Sequence, residues 1–385
     1  MPQFKTARLE LTGNCDFKCL YCHAGQKNNA CKISEELPLE RWLGIIDEAK
    51  QLGVKKFILS GGEPLLHPHW QEIVRHCGPE TEVIFSTNGN HFNEKNLEIL
   101  ARLPYAREFR TSLDGLQTND IIRHGSSYVK SLESLRRLKQ RLPDSKIMVQ
   151  TVVYRNNLNE LKALYNILKD QGVYWWRLSQ LWKTVWTEKN RGILDFSDYN
   201  LMFSAYTDII RTYLQEEKPF RLSIDNVYDS NITLEPYANF DFSAHPCAYH
   251  FDFLCINANG DLVFCIALNL PHASVKNQSI VKAFETSVWL KDFQALNIGM
   301  LPCGNCRYLK ICGGGCRADS LRWLGELKTL DPNACCVMRK IEEIIIPLLD
   351  EKAKKVYLQL IDVSADYPPV NGENIEQAVE AFKRR

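Results

Sequence analysis

The chain has 385 residues, 45% of them hydrophobic and 24% charged, with 47 Lys+Arg against 46 Asp+Glu and a formal net charge of +1. That is room for about two domains of an ordinary folded protein, with no basic field for nucleic acid or anionic lipid. The first residues, MPQFKTARLEL, hold no signal-peptide core, and no apolar run approaches the roughly 18 residues of a membrane span, so a cytoplasmic protein is expected. Its 14 cysteines fall in C-x2-C-like groups, which in a reducing compartment point to metal binding rather than disulfides.

In chain order, a strand is expected over 7–11, followed at once by Cys15, Cys19 and Cys22 at C-x3-C-x2-C spacing. A [4Fe–4S] cube needs four ligands, so a run of three thiolates leaves one iron open. A zinc site would need a fourth Cys or His nearby, for which His23 and Cys31 are available. Leu39, Trp42, Leu43, Ile46 and Ala49 have helical spacing over 39–52, and a strand over 56–59 then runs into Gly61, Gly62, Glu63 and Pro64. The alternation continues with strands over 82–86, 108–112, 146–153 and 173–178, and helices over 94–103, 127–142 and 158–171. Strands alternating with helices in this way give a parallel sheet, open or curled into a partial barrel, with chemistry beyond the C-terminal strand ends. The cysteine loop, residues 61–64, 86–89 and 112–115, and Asn156 all fall on that rim.

Just after the sixth strand begins stand Trp175, Trp176, Trp182 and Trp186, either core residues or a substrate-facing surface. A helix over 196–215 and a short strand over 221–226 lead to a second cysteine-rich segment. Cys247, Cys255, Cys265, Cys303, Cys306, Cys312, Cys316, Cys335 and Cys336 lie there, in the order C-x12-G-x4-C, a gap, C-x2-C-x5-C-x3-C, a gap, and C. Between Cys255 and Cys265 the run INANGDLVF reads as a hairpin with Asn-Gly at its turn. A helix over 337–349 and a polar tail close the chain.

The C-x3-C-x2-C run with Tyr21 before its last cysteine, GGEP about forty residues on, SLDG followed by Arg123, and the C-terminal cysteine order together resemble the radical S-adenosylmethionine (SAM) enzymes with a C-terminal SPASM module. The resemblance implies an α/β fold: a partial (β/α)6 TIM-like barrel over 1–195 and a connecting helical segment over 196–240. A SPASM domain of hairpin and helices around two clusters follows over 241–340, and a C-terminal helix and polar tail over 341–385. It implies SAM and three [4Fe–4S] clusters as cofactors. By resemblance, Cys15, Cys19 and Cys22 hold the SAM-binding cluster, whose open iron takes the amino and carboxylate groups of SAM. Gly61, Gly62, Glu63 and Pro64 would meet the methionine amino group, Ser112 the ribose and Arg123 the carboxylate, with Tyr21, Asn88 and Asn156 completing the pocket. Asp114 is open between this site and a plain turn role. Cys303, Cys306, Cys312 and Cys335 would hold the distal auxiliary cluster. Cys247, Cys265 and Cys316 would hold the nearer one, with Cys255 as fourth ligand or an iron left open. Cys336 would be a spare core thiol, with the choice between it and Cys335 as the distal ligand left open, and Cys31 and Cys77 would be ordinary cysteines.

The implied activity is that of a maturase in the peptide-modifying branch, acting by a 5′-deoxyadenosyl radical on a ribosomally made precursor peptide to cross-link, cleave or excise. A tetrapyrrole or other small-molecule radical-SAM enzyme is the alternative. A sulfatase-maturase reading is lowered by Ile266 after Cys265, where such relatives usually carry an aspartate. A zinc-binding scaffold is the alternative that is not an enzyme. The cluster strand begins close to Arg8, so a separate leader-binding protein is expected unless the chain's own edge strands bind the leader. A flavodoxin- or ferredoxin-like electron donor completes the expected partners; nucleic acid and membrane are not among them.

Overall fold

The computed structural model describes residues 3–22, 35–180, 194, 198–234, 240–247, 252–263 and 270–370. The chain divides into two compact units, Met1–Gln150 with Ala248–Gln294, and Thr151–Cys247 with Ala295–Arg385. These bounds differ from the expected divisions at 195 and 240. The strand Phe253–Ile256 pairs in parallel with Thr6–Thr12, which brings the hairpin into the first unit.

In the first unit Thr6–Thr12 lies between Phe253–Ile256 and Lys56–Gly61, both parallel to it. Glu82–Ser86, Glu108–Ser112 and the first part of Lys146–Val153 extend the sheet in parallel from Lys56–Gly61. On the other side Asp261–Val263 and Pro271–Ser274 add on antiparallel, so the sheet is mixed. Side chains alternate across the pleat. Ala7, Leu9, Leu59, Phe85 and Phe109 are buried on one face, and Phe85 meets Trp70 of the helix Trp70–Cys77 at 5.9 Å and Phe109 at 5.8 Å. The register partners Glu10 and Ser60 lie on the other face, which also buries Ile58 and Ile84. The helix Trp70–Cys77 is absent from the sequence expectation although Trp70, Ile73, Val74 and Cys77 are buried at helical spacing. Its eight residues are too short a window for periodicity to stand out. Cys77 belongs to that apolar face.

The second unit holds Trp175–Gln180 and Arg221–Ile224 in parallel, with Tyr228–Asp229 antiparallel to the latter. Trp176 is buried against Tyr165 and Phe220, and its indole N–H donates to Thr151 at 2.9 Å. The long helix Tyr199–Gln215 buries Met202, Phe203, Tyr206, Ile209, Ile210 and Tyr213. Three short helices follow, Leu309–Cys312, Arg317–Leu324 and Pro332–Lys340. The helix expected over 337–349 starts earlier, at Pro332, because Asp331 caps it and Pro332 fits its first turn. The expected polar tail is also more ordered than its composition suggests: Glu351–Leu360 is a helix capped by Asp350 that buries Val356, Tyr357 and Leu360. No helix among the described residues is long and apolar enough to cross a membrane.

Candidate functional site

Four loops at the C-terminal strand ends of the first unit interlock. The loop after Lys56–Gly61 packs directly on the cysteine loop: the Gly62 N–H donates to Thr12 O at 2.7 Å and the Glu63 N–H to Asn14 O at 2.8 Å. Only glycine allows this approach, since a Cβ on Gly61 would stand 2.4 Å from Thr12 O and one on Gly62 2.2 Å from Asn14 O. In this structure the close approach of both glycines is to the cysteine loop. Glu63, with no exposed surface, accepts from Thr87 Oγ1 at 2.8 Å, Asn88 N at 2.7 Å and Leu65 N at 3.1 Å, which ties the loop after Glu82–Ser86 to the GGEP loop. Burial pushes its pKa up, with those three bonds opposing. Pro64 opens a buried 3-10 turn.

The short strand Lys18–Cys19 pairs antiparallel with Arg123–His124, setting Cys19 opposite Arg123. The Tyr21 hydroxyl donates to Asp114 Oδ2 at 2.5 Å, and the fully buried Asp114 carboxylate lies 3.9 Å from Arg123 Nε. Asp114 therefore has a side-chain partner on the cysteine loop, more than a turn residue needs. Arg123, 2% exposed, lies over the Phe17 ring and donates to the Ser112 carbonyl, and its buried Nε has no hydrogen-bond partner. Burial, opposed by the Phe17 N–H, raises Cys15 to about 12, and burial, opposed by Arg123, raises Cys19 to about 11. Such thiols stay protonated at neutral pH until a metal takes the proton's place.

Asn88, expected in the SAM pocket, spends its amide otherwise: Nδ2 donates to Asp16 Oδ1 at 2.7 Å and Oδ1 accepts the Asn90 N–H at 2.8 Å. Burial would raise Asp16, but bonds from His91, Asn90 and Asn88 outweigh it and hold the carboxyl below its usual range. Asn156 is exposed in the second unit. Its neighbour Asn157 is the buried amide, donating to Val152 O at 2.8 Å and accepting from Tyr154 N at 2.7 Å. Trp175 is half-buried, its indole N–H on Ser223 and the Arg221 guanidinium 4.1 Å above its ring. His23, Cys31, Trp182, Trp186 and Cys265 lie outside the described residues.

In the second unit Cys303, Cys306, Cys312 and Cys335 line one cavity with Leu309, Met338 and Asp331. Cys336 is not part of that lining and is buried, 3% exposed, close to Tyr199. Burial raises all four lining thiols, Cys303 to about 11. Asp331, 2% exposed, accepts from Cys316 N at 2.8 Å and from Ala334 N at 3.2 Å, so one carboxylate fixes both Cys316 and the helix that carries Cys335. Cys247, in a turn with His245 Nδ1, belongs to the second unit, whereas Cys255 is a buried strand residue of the first.

One wall of this cavity was not legible in the sequence. Residues 362–366 run beside 305–307, with Arg307 N–H on Asp366 O at 2.9 Å, Asp366 N–H on Asn305 O at 3.0 Å and Asp362 N–H on Arg307 O at 2.9 Å. Tyr367 lies under the Arg307 guanidinium at 4.3 Å, and Pro368 reaches the cavity lining.

Four sulfurs around one partly apolar cavity, and three on a rim loop beside a buried arginine whose Nε makes no hydrogen bond, are donor sets suited to iron–sulfur clusters and, at the rim, to a ligand with a carboxylate. Among the described residues no three Cys, His, Asp or Glu side chains draw together closely enough for a single metal ion. The model of the Radical SAM superfamily matches residues 9–168, the stretch that carries the whole rim of the first unit. Residues 9–168 thus form a radical SAM domain. Relatives of the chain include the AdoMet-dependent heme synthase of Methanosarcina barkeri, 23% identical over 348 residues, 86% of this chain and 95% of that one. The PqqA peptide cyclase of Bradyrhizobium diazoefficiens is 24% identical over 360 residues, 90% of this chain and 89% of that one. Streptococcus suis SuiB bound to S-adenosylmethionine aligns with a TM-score of 0.67 at 17% identity, over 87% of this chain and 77% of SuiB. Its complex with precursor peptide SuiA gives 0.66 at 17% identity, over 87% and 76%. The fold is thus the TIM-like α/β fold of radical SAM enzymes, with a mixed sheet.

Proposed function

We propose that this chain is a radical SAM/SPASM maturase that modifies a ribosomally made peptide, by cross-linking or by cleavage or excision in the backbone. The observation that carries the reading is the four-cysteine cavity of the second unit, a metal-ligand set additional to the rim loop. Similarity to a PqqA peptide cyclase over 90% of the chain, and the likeness to SuiB in complex with its precursor peptide, support a peptide as substrate. Cys15, Cys19 and Cys22 would hold the initiating cluster, and Cys303, Cys306, Cys312 and Cys335 an auxiliary one. Cys247 and Cys316 of the second unit would serve a further one.

When bound, the cluster and SAM supply a 5′-deoxyadenosyl radical able to abstract hydrogen from an unactivated carbon. The chain's own part is position and exclusion of water. Arg123, buried and with no hydrogen bond at Nε, would take the SAM carboxylate; Ser112 and the backbone of residues 61–64 would flank it, and Tyr21 and Asp114 hold the arginine's surroundings rigid. Glu63 acts from behind, through Thr87 and the Asn88 amide. An electron donor of the flavodoxin or ferredoxin kind, a separate leader-binding protein and a cytoplasmic location belong to the same reading.

The test is to incubate reduced enzyme and SAM anaerobically with precursor peptides encoded beside its gene and follow peptide mass. A loss of two hydrogens per cross-link, or a backbone fragment, is expected, matched by 5′-deoxyadenosine. The heme synthase relatives favour a second reading, in which the substrate is a tetrapyrrole. Turnover of an iron porphyrinoid with no change in any peptide would establish that reading instead.

A further inference from the structure

The arm of the cysteine loop that bears Cys15 is held differently from the arm that bears Cys19 and Cys22. Up to Asn14 the chain is tied by backbone bonds to residues 62–63. From Lys18 it is tied by the strand pair with Arg123–His124 and by the Leu20 N–H on Ile122 O at 2.9 Å. Between these anchors lie Cys15, Asp16 and Phe17. There the Phe17 N–H meets Cys15 Sγ at 3.4 Å, and the Asp16 carboxylate is gripped by three side chains of one loop. Asn88 Nδ2 donates to Oδ1 at 2.7 Å, Asn90 Nδ2 to Oδ2 at 2.6 Å, and His91 Nε2 lies 3.2 Å from Oδ2.

That loop also grips the carboxylate of Glu63, through Thr87 Oγ1 and the Asn88 N–H. It can face both ways because Gly89 takes a left-handed conformation, φ 83°. Residues 87–91 thus stand between two acids, one on the cysteine loop and one on the GGEP loop. Asn88 touches both, and its Nδ2 also comes within 4.0 Å of Cys15 Sγ. Hydrogen bonds to a charged acceptor are about twice as strong as neutral ones, so three on one carboxylate make a firm anchor.

We propose that Asp16 is a positioning residue: clamped by Asn88, Asn90 and His91, it fixes the Cys15 arm against the loop that also holds Glu63, and so sets how firmly iron is retained at the rim. The proposal rests on the reading that Cys15, Cys19 and Cys22 hold the initiating cluster. It assigns a role to three side chains, Asp16, Asn90 and His91, outside the expected ligand and SAM-contact set. Asn90 is exposed and His91 is partly buried, its side chain 21% exposed, and neither belongs to the buried core.

The experiment uses the full chain, reconstituted anaerobically, and follows release of iron to a ferrous chelator. The phase missing from Cys15/Cys19/Cys22→Ala identifies rim iron. In Asp16→Ala that phase is expected to run about tenfold faster, the loss of at least one charge-assisted bond. Smaller accelerations are expected in Asn90→Ala and His91→Ala, and recovery in His91→Gln, which keeps a donor. The remaining iron should leave at the wild-type rate, and the SAM-induced change in the electron paramagnetic resonance of the reduced rim cluster should broaden in Asp16→Ala. Rim iron released at the wild-type rate in both Asp16→Ala and Asn90→Ala overturns the clamp. If Cys15/Cys19/Cys22→Ala lacks no iron phase, the cluster reading itself fails, a result distinct from failure of the clamp.

Discussion

At the rim of the first unit three cysteines sit on a loop held by side chains and glycines of the neighbouring loops, whereas in the second unit four cysteines line a cavity walled by helix termini and the chain's last described residues. The rim loops come from separate strand ends, so the ties between them are long-range hydrogen bonds. The cavity is walled by a capped helix on one side and a paired segment on the other. The difference fits two tasks, admitting a small molecule at the rim and holding a group away from solvent in the cavity.

Gly62→Ala should break the rim and spare the cavity. Its Cβ would stand 2.2 Å from the Asn14 carbonyl oxygen, backbone that cannot yield. A destabilisation of about 3 kcal/mol is expected, with SAM cleavage lost and the iron of the four-cysteine site retained; thermal unfolding and metal analysis check it. The converse variant is Asp331→Ala, which removes the acceptor of both Cys316 N and Ala334 N and should cost about 2 kcal/mol. Asp331→Asn, which keeps one acceptor, should cost less, and chemical denaturation with iron content distinguishes the two.

Tyr367→Ala loosens only the paired wall. Its ring meets Arg307 at 4.3 Å and Arg339 at 5.4 Å, contacts worth about 1 kcal/mol together. Iron should leave the cavity several times faster while the rim phase stays unchanged. If the rim phase changes instead, the two sites are not built independently. The smallest effect concerns His272, on the strand Pro271–Ser274 beside Trp289 and Phe284 and outside both cysteine sites. Burial lowers its pKa from 6.5 to about 4. Its neutral form therefore contributes stability fully present above pH 6.5, and that contribution is lost as pH falls through 4. His272→Phe should flatten the melting temperature over that window.

Strands at Glu82–Ser86, Glu108–Ser112 and Lys146–Val153 were legible to the residue, because they are short runs rich in apolar and β-branched residues, each opened by a charged residue. The rim was legible for a related reason: its motifs are contiguous, so the residue types and the strand ends they follow can be read together. The partners of Asp16 were not, since they stand 72 to 75 positions away and nothing in spacing marks a side-chain pair across that distance. The pairing of 305–307 with 362–366 was hidden likewise, in a stretch whose polar composition reads as a tail. Cys335 and Cys336 are adjacent and chemically identical; only the helix, which turns Cys335 to the cavity and Cys336 into the core, tells them apart.

The account's central claim is that the rim loop starts radical chemistry, and the direct test is 5′-deoxyadenosine formation by anaerobically prepared, reduced protein supplied with SAM. The account predicts nucleoside from the wild type and from Tyr367→Ala, and none from Cys15/Cys19/Cys22→Ala. Nucleoside formed equally by the triple variant, or none formed by iron-replete wild type, would contradict it.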